Sequence, residues 1–423
     1  MIRFAPLWAC SLLVLACTGT GAPTAAPPPE PPPPAPTPSG PEREPLDGPA
    51  GEISGQPGLQ AGPDGSVYLS WVEPTAGGHR LRFAVRPPEG GPWGEPRTLA
   101  EGADWFVNWA DTPSLLVGPA GPSAIHWLAR AGETTYAYHV MSAASADGGA
   151  TWSAPRRLHA DESESEHGFA SLLPDAGGGA RALWLDGGAT LAGGPMSLRS
   201  RTIAPDGEVG PEAVVDDRTC DCCPTSAAAL PGGGVIVAWR DRSEEEIRDI
   251  AIARYRAGAW EAPRIVTPDQ WTMPGCPVNG PVIDSEGDHV ALAWFTGEAD
   301  QPRVQVALSH DGGETFPLRR VLSTSAVGRV DVVALADGGA LVTWVEDRGE
   351  DAAAMLLMDV NGDAAPRLQA PIELGAVSPA RLSGMPRVSL GGDGRLVLAW
   401  TDVSGDDPPT TRVRTATWGP IAR

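Results

Sequence analysis

The chain has no lysine: all 31 of its cationic residues are arginines, set against 53 acids for a net charge of −22. That absence removes Schiff-base and lysine-base chemistry, and leaves planar, bidentate anion contacts as what the cations do best. A basic footprint is missing too, so a nucleic-acid partner is excluded by charge. Tyrosine is scarce, with only Tyr68, Tyr136, Tyr138 and Tyr255. Long apolar runs are lacking as well. The one candidate, residues 4–16, is shorter than the ~20 residues a membrane helix needs.

That short run follows Arg3 and leads into Val14-Leu15-Ala16-Cys17, which resembles a bacterial lipobox. The expectation is a lipoprotein signal peptide over 1–16, with Cys17 as the lipid anchor and an extracytoplasmic protein at the periplasmic or cell surface. An ordinary signal peptide cleaved nearby is the alternative. Residues 17–44 hold runs of consecutive prolines. Proline fixes φ and removes a donor, so this linker is expected to be disordered, an extended polyproline arm spacing a folded head from a membrane.

What the rest has in abundance is a repeat. Trp71, Trp127, Trp184, Trp239, Trp294, Trp344 and Trp400 recur at intervals of 56, 57, 55, 55, 50 and 56. Each closes a short β-rich run such as VYLSW or VIVAW, flanked by turn clusters and further short apolar runs. About four short strands per unit of ~50 residues predicts a propeller blade, which must stack on neighbours to bury its faces. The fold class is therefore all-β: one β-propeller over 45–423, with seven blades favoured and six as the alternative. The last copy shows only three strands, and a segment near Leu46 to Ser54 is expected to supply the fourth.

Strands alternate in direction from the axis outward, so the blade-to-blade connectors share one face with the loops after each second strand. The unusual residues fall there: Asn108 and Asp111; His159, Asp161, Glu166 and His167; Asp186; Cys220, Cys222 and Cys223; Arg240, Arg242 and Arg248; Cys276 and Asn279. Arg240, Arg242 and Arg248, with Asn108, Asp111 and Asn279, are candidates to hold an anionic small molecule or a glycan. Glu166, His167 and Asp186 are the candidate catalytic groups. A solvated, ion-paired hairpin is the plainer reading of the arginine run, and loop hydrogen bonding that of the histidines.

Cys220, Cys222, Cys223 and Cys276 allow two disulfides, a soft-metal site for copper or zinc, or a redox-active pair. Adjacent Cys222 and Cys223 strain a bridge to each other, so one or both pair elsewhere.

Two third-to-fourth strand turns, Ser145-Ala146-Asp147-Gly148-Gly149-Ala150-Thr151-Trp152 and Ser309-His310-Asp311-Gly312-Gly313-Glu314-Thr315-Phe316, look like the Asp-boxes of sialidase-type propellers. With the blade pattern they make residues 57–420 similar to the sialidase superfamily. The segments NWADTP, EHGF, CDCCPT, WRDRSEEEIRDI and GCPVNGP further resemble a group of exported bacterial sialidase-like proteins. The resemblance implies a glycoside-hydrolase-like activity. The exo-sialidase set does not carry over: the Phe/Tyr-Arg-Ile-Pro motif is missing, and no tyrosine lies in the late blades where the nucleophile belongs. Three readings stand: a monomeric, lipid-anchored glycan-binding propeller; a metal or redox protein built on the cysteines; and a scaffold for protein partners.

Overall fold

The computed structural model describes residues 43–349, 352–361, 370–405 and 407–421. The signal segment, Cys17 and nearly all of the proline-rich linker lie outside the described residues. What is described is a seven-bladed β-propeller of antiparallel sheets. Blades 1 to 6 follow chain order over residues 55–102, 114–157, 167–219, 226–267, 282–323 and 326–377. Blade 7 takes three strands from residues 387–418 and its fourth from Arg43–Leu46, paired antiparallel from Arg43↔Trp418 to Leu46↔Thr415. The closing strand shares only Leu46 with the expected segment and otherwise lies before it. Deleting residues through Leu46 is expected to cost about 1–3 kcal/mol, the worth of four cross-strand pairs. An unchanged urea midpoint for that truncation would show that the ring does not depend on its clasp.

Each sheet alone leaves both faces apolar, so the core lies between blades. Seven hydrophobic clusters occupy the seven junctions, from Phe83 with Trp127 between blades 1 and 2 to Leu69 with Ala399 between blades 7 and 1. Five of the repeat tryptophans are almost wholly buried. A buried indole N–H needs an acceptor, and a carboxylate supplies it each time. Trp71 donates to Glu73, Trp184 to Asp186 and Trp344 to Glu346, each two residues on. In blades 4 and 5 the acceptor is brought in from outside the strand, as Trp239 donates to Asp216 and Trp294 to Asp269.

Side chains of the innermost strands also stitch blade to blade. Gln60 accepts from Val117 N–H, Ser226 from Ile283, Asp284 from Ala334 and Asp331 from Val388, at 2.8, 3.0, 2.8 and 2.8 Å. The two matched turns fold alike. Asp147 accepts from the backbone and hydroxyl of Thr151 at 2.8 and 2.6 Å, and Asp311 does the same with Thr315 at 2.9 and 2.7 Å. The second glycine of each turn, Gly149 and Gly313, has φ of 85° and 75°, a region that glycine enters without steric cost. Blade 4 splits its outer strand into Ala259–Trp260 and Arg264–Thr267, because Pro263 between them has no N–H to donate.

Candidate functional site

The connectors between blades 1 and 5 are linked in turn: Tyr138 joins Asp111 to Glu166, Asp221 acts on Glu166, and Cys222 bonds Cys276, with the blade 4 loop held to them through Arg242. Two bulged inner strands organise these connectors. In blade 3 the ladder slips between Gly168 and Ser171, and Phe169 takes φ of 51°. Asp111, from the connector between blades 1 and 2, accepts the Phe169 N–H at 2.8 Å. Blade 6 repeats the device, with Arg329 at φ of 52° and its N–H held by Asn279 Oδ1 at 2.9 Å. Bulges re-aim the residues beside them, and both acceptors were expected to touch ligand. Asn279 is instead bound to the bulge, donating also toward Val327 O at 3.3 Å. Asn108 accepts the Ala110 N–H at 2.8 Å and shapes its own turn.

Around the blade 3 bulge lies an acid cluster. The Tyr138 hydroxyl, wholly buried and stacked on Phe106, donates to Glu166 Oε1 at 2.6 Å and lies 3.5 Å from Asp111 Oδ2. Burial raises the Glu166 carboxyl to about 7, and the negative charges of Asp221 and Cys220 push the same way. Asp111, buried with Oδ1 unpartnered, rises to about 8 through burial and the neighbouring Glu166. Glu166 is half-buried at the rim. A carboxylic acid titrating near neutrality, one side open to solvent, has the properties of a general acid or base.

His167 and Asp186 face the same region but are otherwise engaged. Asp186 is the buried acceptor of the Trp184 indole at 2.9 Å. His167 is buried, with Nε2 3.0 Å from Asp161 Oδ2 and Nδ1 3.2 Å from Ser165 O. Its ring stacks on His159 at 3.6 Å, and His139 tilts against both. Burial, helped by the other two rings, lowers His159 to about 2. One ring nitrogen of each of the three histidines lies within 4.8 Å of the others. The parallel stack of His159 and His167 keeps their in-plane lone pairs from converging on one ion.

Of the four cysteines, Cys222 and Cys276 form a disulfide that joins the connector between blades 3 and 4 to that between blades 4 and 5. Cys220 and Cys223 are buried thiols with sulfurs 3.0 Å apart. A metal reading of the four then retains two thiolates, short of the closed four-ligand set of a structural zinc site. The hydrogen bond from Cys223 brings Cys220 down to about 6, against burial; the Cys222 N–H and the guanidinium groups of Arg240 and Arg248 act with it.

The expected arginine clamp is not assembled. Arg240 is 2% exposed and donates to the carbonyls of Asn279, Arg248 and Phe295 at 2.6–3.1 Å. Arg242 is held by Glu246 and Asp221, and Arg248, also buried, by Glu246. Their acceptors come from the connectors, as Asn279 and Asp221, from the blade 4 loop itself, as Glu246 and Arg248 O, and from a blade 5 strand, as Phe295. Of these three arginines, Arg248 keeps two buried N–H groups, Nε and Nη1, without partners.

Sequence reasoning passed over Tyr138 and His139. Both begin a third strand, Tyr138–Ala144, at its rim end; a strand terminus beside a connector rich in His and Asp was the available signal. Trp109 reaches toward the far side of the ring, where Arg329 and Arg381 lie over its indole at 5.6 and 5.9 Å. Between the inner strands is a cavity of about 500 Å³ that includes Asp284 and Asp331 in its wall.

No family model matches the chain, and no curated protein matches it. Solved structures do. The BP39L lectin of Burkholderia pseudomallei superposes with a TM-score of 0.57 at 14% identity, covering 88% of this chain and 99% of the lectin. The PL25 ulvan lyase bound to -[GlcA(1-4)Rha3S]- gives 0.52 at 10%, covering 90% and 96%. The endosialidase of phage phi92 gives 0.50 at 11%, covering 90% and 70%. At such identities the likeness is one of fold, and that fold is a β-propeller.

Proposed function

We propose that the chain is an exported propeller, anchored through Cys17, that binds a glycan over the rim of blades 2 to 4, with Glu166 as its acid–base group. The observation that carries this reading is the half-buried Glu166 carboxyl, fixed by the Tyr138 hydroxyl at 2.6 Å and titrating at about 7. Such a group accepts a sugar hydroxyl when ionised and donates to a glycosidic oxygen when protonated, at the same pH. Asp221, whose charge acts on Glu166, adds an acceptor near it and, with Glu246, ties up Arg242. A rim of carboxylates whose arginines are internally paired favours neutral, hydroxyl-rich sugars over anionic ones. A lectin, a lyase and an endosialidase on the same scaffold support a saccharide ligand, as analogy of fold.

A glycan array of neutral and acidic structures tests the proposal. At least one neutral glycan is expected to bind, and Glu166→Gln to weaken that binding about 10- to 100-fold, the range for a hydrogen bond to a charged group. A blank array would remove the glycan reading. Undiminished binding by Glu166→Gln would move the site elsewhere.

A further inference from the structure

Four sulfurs meet at the junction of two connectors, and they differ in access. Cys276 is exposed and Cys222 half-buried, while Cys220 and Cys223 are each 1% exposed behind them. The sulfurs of Cys220, Cys222 and Cys223 all lie within 4.8 Å of one another, and those of Cys220 and Cys223 are 3.0 Å apart. An interior dithiol therefore stands against a surface disulfide. Thiol–disulfide exchange needs a thiolate, an accessible disulfide sulfur and a leaving thiolate that can be solvated. Cys220 fits the first role: Arg240 and Arg248 act on it, and Arg248 keeps two buried N–H groups that no other atom satisfies. Cys222 Sγ fits the second. Cys276, open to water, fits the third.

We infer that these cysteines form an internal exchange relay, which moves one disulfide between a surface position, Cys222–Cys276, and an interior position, Cys220–Cys223. In the first step the Cys220 thiolate attacks Cys222 Sγ. The Cys220–Cys222 bond forms, the Cys222–Cys276 bond breaks, and Cys276 leaves as a thiolate that takes a proton from water. In the second, Cys223 gives up its proton and attacks Cys220 Sγ. The Cys220–Cys223 bond forms and Cys222 leaves as a thiolate, which is protonated in turn. One disulfide and two thiols exist before and after, so no oxidant or reductant is consumed. The product state presents two thiols, Cys222 and Cys276, toward the surface, where they can reduce a disulfide of a partner or be reoxidised. It also unties the two connectors. Asp221, between the attacking and attacked cysteines, pairs with Arg242 at 2.8 Å, so the exchange reaches the rim beside Glu166.

Disulfide mapping of the full chain tests this. Protein carrying one disulfide and two thiols is held without external thiol or oxygen, quenched with acid at intervals, alkylated and digested. The interior Cys220–Cys223 bridge is expected to appear with first-order kinetics that do not change with protein concentration. Cys223→Ser is expected to stop the reaction before that bridge forms. Cys276→Ser is expected to leave Cys220–Cys223 as the bridge recovered after oxidation with glutathione disulfide. A wild-type sample in which Cys222–Cys276 stays the only bridge, its two thiols unchanged for hours, would overturn the relay without recourse to any variant. So would appearance of the interior bridge at a rate proportional to protein concentration.

Discussion

Replacing Asp111 by Asn is expected to stabilise the propeller increasingly as pH rises from about 4 to about 8. In the unfolded chain Asp111 gives up its proton near 3.8, whereas in the fold it holds it to about 8. Between those limits the native state binds the extra proton, so raising the pH favours unfolding. At 1.36 kcal/mol for each tenfold step in proton activity, the difference reaches on the order of 5 kcal/mol by pH 8. Asn carries no proton to lose, and its carboxamide oxygen can still accept the Phe169 N–H that holds the bulge. Glu166 adds a component of the same sign over a narrower window, from its ordinary 4.5 to about 7, and it remains in both proteins. The measurement is a pair of urea titrations at each pH. The two proteins should be nearly equal at pH 4, with the Asp111→Asn variant ahead at pH 8; parallel midpoints across that window would show that Asp111 is ionised in the fold.

The second large effect concerns the bridge between connectors. Cys222 and Cys276 are 54 residues apart, so their disulfide closes a loop containing all of blade 4. On the chain-entropy account, opening a loop of that length costs about 4 kcal/mol through the freedom returned to the unfolded chain. The double variant Cys222→Ala, Cys276→Ala is expected to show that loss as a lower guanidinium midpoint with a decreased stability in water. Its denaturant slope should also rise, because the uncrosslinked chain exposes more surface on unfolding. Equal midpoints would mean that residual structure in the unfolded chain already holds the two connectors near each other.

Much of the ring was legible from the tryptophan spacing, because a blade repeat is a property of the chain alone: each copy must present the same apolar faces to its neighbours. Trp184 and the other six landed where the interval put them, and strand alternation was enough to send Cys220, Glu166 and Asp111 to one rim. Less legible was what each polar side chain would bind. The pattern WRDRSEEEIRD shows many charges but not that Arg240 would turn inward to three carbonyl oxygens, two of them more than thirty residues away in sequence. Nor does the sequence show that Asp186 is claimed by the indole two residues before it, although the same spacing in Trp71–Glu73 and Trp344–Glu346 carried the clue. Tyr138 was passed over because the scarcity of tyrosine was weighed against blade position, and its partner Glu166 arrives only through the following connector.

Chain closure in blade 7 gives the propeller a mechanical polarity. A load drawn through the proline-rich segment meets the four-residue ladder of Arg43–Leu46 before any other part of the fold. The pulled strand lies antiparallel to the last one, Thr410–Trp418, and its first residue pairs with Trp418. Traction along that strand shears the rungs together, whereas traction across it opens them singly, so the direction of tension decides how firmly the ring is latched.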